Sequence, residues 1–61
     1  MLSPGIAVLL VEDDPTFFDA FTRAIAQAAD LRLIGAASTF AEGRALIERT
    51  NPDVLLVDLG L

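Results

Sequence analysis

Two groups of carboxylates carry the chemical potential of this 61-residue chain: Glu12-Asp13-Asp14 and Asp58. Each follows directly on an apolar run, Ile6-Ala7-Val8-Leu9-Leu10-Val11 for the first and Val54-Leu55-Leu56-Val57 for the second. Carboxylates brought together repel, and a divalent cation removes the penalty. The chain has no Cys and no His, so its ligands are hard oxygens, which select Mg²⁺, Mn²⁺ or Ca²⁺. Few protein oxygens are on offer. That suits Mg²⁺, which is held by one or two carboxylates with phosphate and water filling the remaining positions. An aspartate beside such an ion can attack phosphorus and form an aspartyl phosphate. Asp58 takes that part in this reading because it stands alone after its run. Glu12 and Asp13 hold the metal together with Asp58 itself, and Gly60, just beyond Asp58, offers its backbone carbonyl to the ion.

Such a site exists only if secondary structure brings positions 12, 13 and 58 together. A short run that is apolar at every position fits a strand buried on both faces, as in parallel sheets. Asp14 followed by Pro15 reads as a helix N-cap and first helical residue. The spacing predicts a helix over Pro15 to Ala29, with Phe18, Phe21, Ile25 and Ala28 as its apolar stripe and Phe17 and Ala24 widening it. A second strand spans Leu31 to Ala37. There, alternation sets Leu31, Leu33 and Gly35 on one face, and Arg32 suggests an end or an edge. Thr39-Phe40-Ala41-Glu42 matches a capping box and opens a helix of about Phe40 to Arg49. Its inner side is expected to hold Ala41, Ala45 and Leu46 or Ile47. Gly43 should weaken it by roughly 1 kcal/mol relative to Ala. Val54 to Val57 forms the third strand.

Strands alternating with helices imply a parallel α/β sheet with right-handed crossovers. Ligands of open α/β sheets bind beyond the carboxyl ends of the strands, where the strand order reverses. In order 2-1-3, strands one and three are neighbours and their terminal acids share one sheet edge. Order 1-2-3 would separate them by a whole strand. The placement of the acids favours 2-1-3.

Composition narrows the function further. The chain is 54% hydrophobic, too apolar for a disordered segment. Its net charge is -5, and its four basic residues, Arg23, Arg32, Arg44 and Arg49, are scattered. Neither nucleic acid nor an anionic membrane is therefore an expected direct partner. Without Cys and His there is no disulfide scaffold, no zinc finger and no Ser–His–Asp or Cys–His catalysis. No G-x-G-x-x-G or Walker pattern occurs. Met1 to Gly5 carries no Lys or Arg, so no signal-peptide start is recognised. The longest apolar run is far below the roughly 20 residues that span a bilayer. A cytoplasmic location is expected.

Val8-Leu9-Leu10-Val11-Glu12-Asp13-Asp14-Pro15 and, further on, Pro52-Asp53-Val54-Leu55-Leu56-Val57-Asp58-Leu59 together resemble the receiver domain of bacterial two-component response regulators. The resemblance covers essentially the whole chain, including Gly35-Ala36-Ala37-Ser38 between strand two and helix two. It implies that Asp58 accepts a phosphoryl group from a sensor histidine kinase. Asp13 would be the direct Mg²⁺ ligand with Glu12 beside it, and the Gly60 carbonyl would join the site. Asp14 keeps the job of capping helix one. A receiver has five strands in a flavodoxin-like, doubly wound fold and roughly twice this length. It also uses a Ser or Thr after strand four and a Lys after strand five. This chain has no Lys. Residues 1–61 are accordingly expected to be the N-terminal half of a receiver, an incomplete βαβαβ version of that fold with impaired phosphorylation. Any DNA-binding output domain would lie elsewhere in a longer protein.

Strand three would then be a bare sheet edge, and a homodimer or higher oligomer is expected. The alternative is a non-catalytic structural or dimerisation module whose acids only cap helices and solubilise. A haloacid-dehalogenase-type phosphotransferase is disfavoured. It places a second Asp two residues after the nucleophile, and here that position is Gly60.

Overall fold

A computed structural model describes residues 5–58. Its elements run β1 (Ile6–Glu12), α1 (Pro15–Gln27), β2 (Leu31–Ala37), α2 (Phe40–Arg49) and β3 (Val54–Asp58). The three strands form one parallel sheet in the order β2-β1-β3. The architecture is that of a partial flavodoxin-like receiver fold.

The central strand is the core. Ala7, Val8, Leu9, Leu10 and Val11 are all buried, and the only other buried apolar side chains among the described residues are Ile25 of α1 and Ala37 of β2. An uninterrupted apolar strand is what a position covered on both faces requires. Val11 packs against Gly43 of α2. Alternation along β1 turns Glu12 to the other face, where it shares a cavity with Phe18 of α1. The two helices thus cover opposite faces of β1 and β2. Neither packs on β3 within the described residues.

Both helix starts are built as their sequences dictate. Asp14 Oδ1 accepts from the N–H groups of Thr16 (2.8 Å) and Phe17 (3.4 Å), and Pro15 follows as the first helical residue. Thr39 Oγ1 accepts from the Glu42 N–H at 3.1 Å and donates to Glu42 Oε1 at 3.2 Å. Such caps satisfy amides that have no partner within the helix.

Helix α1 ends earlier than its run of alanines suggests. Ala28 adopts an extended backbone as the C-cap. The turn that follows brings the Asp30 carbonyl to the Ile6 N–H at 2.8 Å, tying the start of β2 to the start of β1. Sheet closure here outweighs alanine's helix propensity.

The strict alternation expected of β2 fails at its centre. Val8 pairs with Leu33 and Leu9 with Gly35, so Ile34 is an extra residue, a bulge in the parallel ladder. Leu33 and Gly35 consequently lie on opposite faces rather than together. Past the bulge, a Cβ on Gly35 would stand 2.8 Å from Leu9 Cδ1 and 3.5 Å from Leu46 Cδ1 of α2.

The inner side of α2 also differs from expectation. Gly43 is buried and Leu46 half-buried, whereas Ala41, Ala45 and Ile47 are exposed. A Cβ on Gly43 would lie 2.6 Å from Val11 Cγ2. The glycine lets the helix backbone approach β1, and that approach sets which face turns inward. On α1, the stripe Phe18, Phe21, Ile25 and Ala28 is buried or half-buried as expected, but Phe17 and Ala24 are exposed. A sheet of three strands is too narrow to cover the widened stripe.

Candidate functional site

Parallel register places Glu12 directly opposite Asp58, each the last residue of its strand. The two acids are 46 positions apart along the chain and neighbours at the carboxyl edge of the sheet. Val8 to Glu12 and Val54 to Asp58 pair residue for residue, so no irregularity displaces one end from the other.

The β3 end is anchored by a residue that sequence reasoning left unassigned. The Asp53 N–H donates to the Ala7 carbonyl, and the Ala7 N–H donates to Asp53 Oδ2, both at 2.8 Å. This reciprocal pair fixes where β3 begins against β1, and hence the level at which Asp58 ends it. The Asp-before-strand signal was visible in the sequence. Its partner, 46 residues away, was not.

Asp13 leaves the strand and is exposed, as is Asp58. The two line one shallow cavity of about 260 Å³, together with Asp14, Pro15 and Phe17. A neighbouring cavity of about 270 Å³ is lined by Glu12, Asp13, Pro15, Phe18 and Ser38. Asp13 thus borders both spaces. Ser38, at the end of β2, completes the row of strand termini that the topology directs to this edge. It donates to Glu42 Oε1 at 3.3 Å.

Glu12 is only 1% exposed. Its Oε2 accepts from the Asp14 N–H at 3.0 Å, while its Oε1 is buried without a hydrogen-bond partner. An unsatisfied carboxylate oxygen at that depth is costly, and a cation or its water shell would satisfy it. Among the described residues, no three acids stand close enough to cage a metal ion by themselves. Gly60 lies outside the described residues. Asp14 is occupied as the α1 cap, as its sequence context indicates.

Several known proteins are similar to this chain over most of its length. Over 58 residues the chain is 34% identical to a protein-glutamate methylesterase/protein-glutamine glutaminase of Rhizobium etli, which is 95% of this chain and 17% of that protein. It is 33% identical over 54 residues to the nitrate/nitrite response regulator protein NarL of Escherichia coli K12, 88% of this chain and 25% of the relative. A methylesterase/glutaminase of Vibrio vulnificus is 36% identical over 59 residues, 97% of this chain and 17% of the relative. The chain spans a quarter or less of the length of each of these relatives. No protein-family model and no solved structure matches it. Two dissimilar kinds of protein share one stretch that covers nearly all of this chain, and that stretch folds as parallel strands in order 2-1-3 with acids at the ends of β1 and β3. The chain is therefore a receiver-domain segment of the response-regulator family.

Proposed function

We propose that residues 1–61 form the N-terminal half of a receiver and serve as the phosphoacceptor part of a two-component phosphorelay. Asp58 is the acceptor. One of its carboxylate oxygens attacks the phosphorus of a phosphohistidine on a sensor histidine kinase, the P–N bond breaks, and an acyl phosphate forms. Asp13 and Glu12, with the Gly60 carbonyl, hold Mg²⁺, which neutralises charge on the transferred group. The module works in the cytoplasm and contacts a kinase rather than nucleic acid, in keeping with its net charge of -5. It is not itself an enzyme.

The observation that carries this reading is the β1–β3 register, which sets Glu12 opposite Asp58, with Asp13 and Asp58 on one cavity. The unpartnered Glu12 Oε1 supports a cation there. Among the described residues, no helix is long and apolar enough to cross a membrane.

Incubation with a small-molecule phosphodonor and Mg²⁺, followed by intact mass, tests the proposal. Slow, partial and Mg²⁺-dependent addition of one phosphoryl group is expected, because no Lys is available to pair with it. Asp58→Asn should abolish the adduct and leave the circular dichroism unchanged. An adduct that persists in Asp58→Asn would remove Asp58 as the acceptor.

A second reading, a non-catalytic dimerisation module, draws on the local jobs that some acids already have. Asp14 caps α1, and Glu12 receives the Asp14 N–H. A Mg²⁺ titration followed by backbone NMR separates the two readings. Shifts centred on residues 12–14 and 58–60 support the phosphoacceptor, and a flat titration supports the structural module.

A further inference from the structure

Glu12 and Asp13 follow one another in the chain but open onto different spaces. The cavity that contains Asp58 is lined by Asp13 and not by Glu12. Glu12 borders the neighbouring cavity of about 270 Å³, with Asp13, Pro15, Phe18 and Ser38. The buried, unpartnered Oε1 thus belongs to a carboxylate that opens toward Ser38 and not toward Asp58.

Register puts Ser38 there. Val11 pairs with Ala37, so the residues that follow, Glu12 and Ser38, leave neighbouring strands at one level. Among the described residues lining this cavity, Ser38 carries the only hydroxyl, and Pro15 and Phe18 are apolar. Its present bond is a long one. Ser38 Oγ donates to Glu42 Oε1 at 3.3 Å, beyond the roughly 2.5–3.0 Å of a good O–H···O bond. Thr39 Oγ1 donates to the same oxygen at 3.2 Å and also accepts the Glu42 N–H, so the α2 cap holds without Ser38.

We infer that Ser38 is a positioning residue of the cation site, its hydroxyl accepting a hydrogen bond from the hydration shell of the ion at Glu12 and Asp13, a role that rests on the Mg²⁺ site proposed above. Mg²⁺ dehydrates reluctantly and keeps several waters. Those waters need acceptors, and neither Pro15 nor Phe18 offers a side-chain one. Ser38 supplies the acceptor on the β2 side, facing the carboxylate whose second oxygen lacks a partner. Outer groups of this kind orient an ion and its ligands without touching the ion.

Titration of the 61-residue chain with MgCl₂, followed by backbone NMR, gives the dissociation constants that test the role. Ser38→Ala should weaken Mg²⁺ binding by about tenfold, as loss of an outer partner does, with circular dichroism unchanged. Ser38→Thr keeps the hydroxyl and should keep the parental affinity. Glu42→Ala removes the acceptor of the present Ser38 bond. It should change the affinity by no more than about twofold at moderate salt, because its exposed carboxylate is screened. Parental affinity in Ser38→Ala, a loss in Ser38→Thr equal to that in Ser38→Ala, or an equal loss in Glu42→Ala would each remove Ser38 from the site. A parent chain that binds no Mg²⁺ would instead remove the cation site itself, and the role of Ser38 with it.

Discussion

Glu12 has its two carboxylate oxygens in unequal settings. Oε2 is served by the Asp14 N–H, and Oε1 is buried with no partner. Leaving a buried polar group unsatisfied costs about 1–3 kcal/mol, more when it is charged. Glu12→Gln keeps an acceptor for the Asp14 N–H and removes the charge. In chelator the variant should therefore be as stable as the parent or more so, by about 1 kcal/mol. In millimolar Mg²⁺ the order should reverse, because a ligand that binds only the folded state raises its stability by mass action. Thermal melts with and without Mg²⁺ read both effects. An identical Mg²⁺ response in parent and variant would show that Glu12 takes no part in holding the ion. Asp14 poses no such conflict, since it accepts from two helix amides and needs no further role.

At the scale of elements, α2 shows how a close approach can reverse a propensity argument. In an exposed helix, replacing Gly with Ala gains about 1 kcal/mol. At Gly43 the new Cβ would meet Val11 Cγ2 at 2.6 Å. Val11 is 2% exposed and β-branched, so it has little room to rotate away. Gly43→Ala should accordingly destabilise by about 1–3 kcal/mol, as overpacking does. Urea midpoints check the sign, and adding Val11→Ala should recover part of the loss.

The same scale shows what the sequence made legible. Apolar runs, the Asp14-Pro15 pair and the Thr39 capping box placed all five elements to within about two residues, because those signals are local. The positions of the acids indicated the strand order, because chemistry at a sheet edge constrains topology. The bulge at Ile34, the inward turn of Gly43 and the Asp53–Ala7 pair were not legible. Each is decided by a partner distant in sequence, and Leu-Ile-Gly-Ala reads as an ordinary strand until its register against β1 is known. The exposure of Phe17 has the same origin, since it depends on the width of the sheet and not on the helix.

For the whole molecule, stability is concentrated in one strand. Among the described residues, five of the seven buried apolar side chains belong to β1, and Leu9 and Leu10 are each 0% exposed. A chain of 61 residues has about 3–9 kcal/mol to lose at usual stability per residue, and less when its core is this narrow. Truncating a fully buried leucine to alanine costs about 2–5 kcal/mol through lost transfer energy and the cavity left behind. Leu10→Ala should therefore leave most molecules unfolded at 25 °C, with helical circular dichroism largely lost. Leu55→Ala, at a site 46% exposed, should cost about 1 kcal/mol or less in the monomer and keep the spectrum. The two leucines lie on adjacent strands of one sheet, in runs of similar composition. Only the neighbours differ: among the described residues, β1 has a strand on each side and a helix on each face, whereas β3 has a single strand beside it and no helix upon it. Equal losses from the two substitutions would mean that β3 is as well covered as β1, contrary to the absence of helix packing on β3 among the described residues.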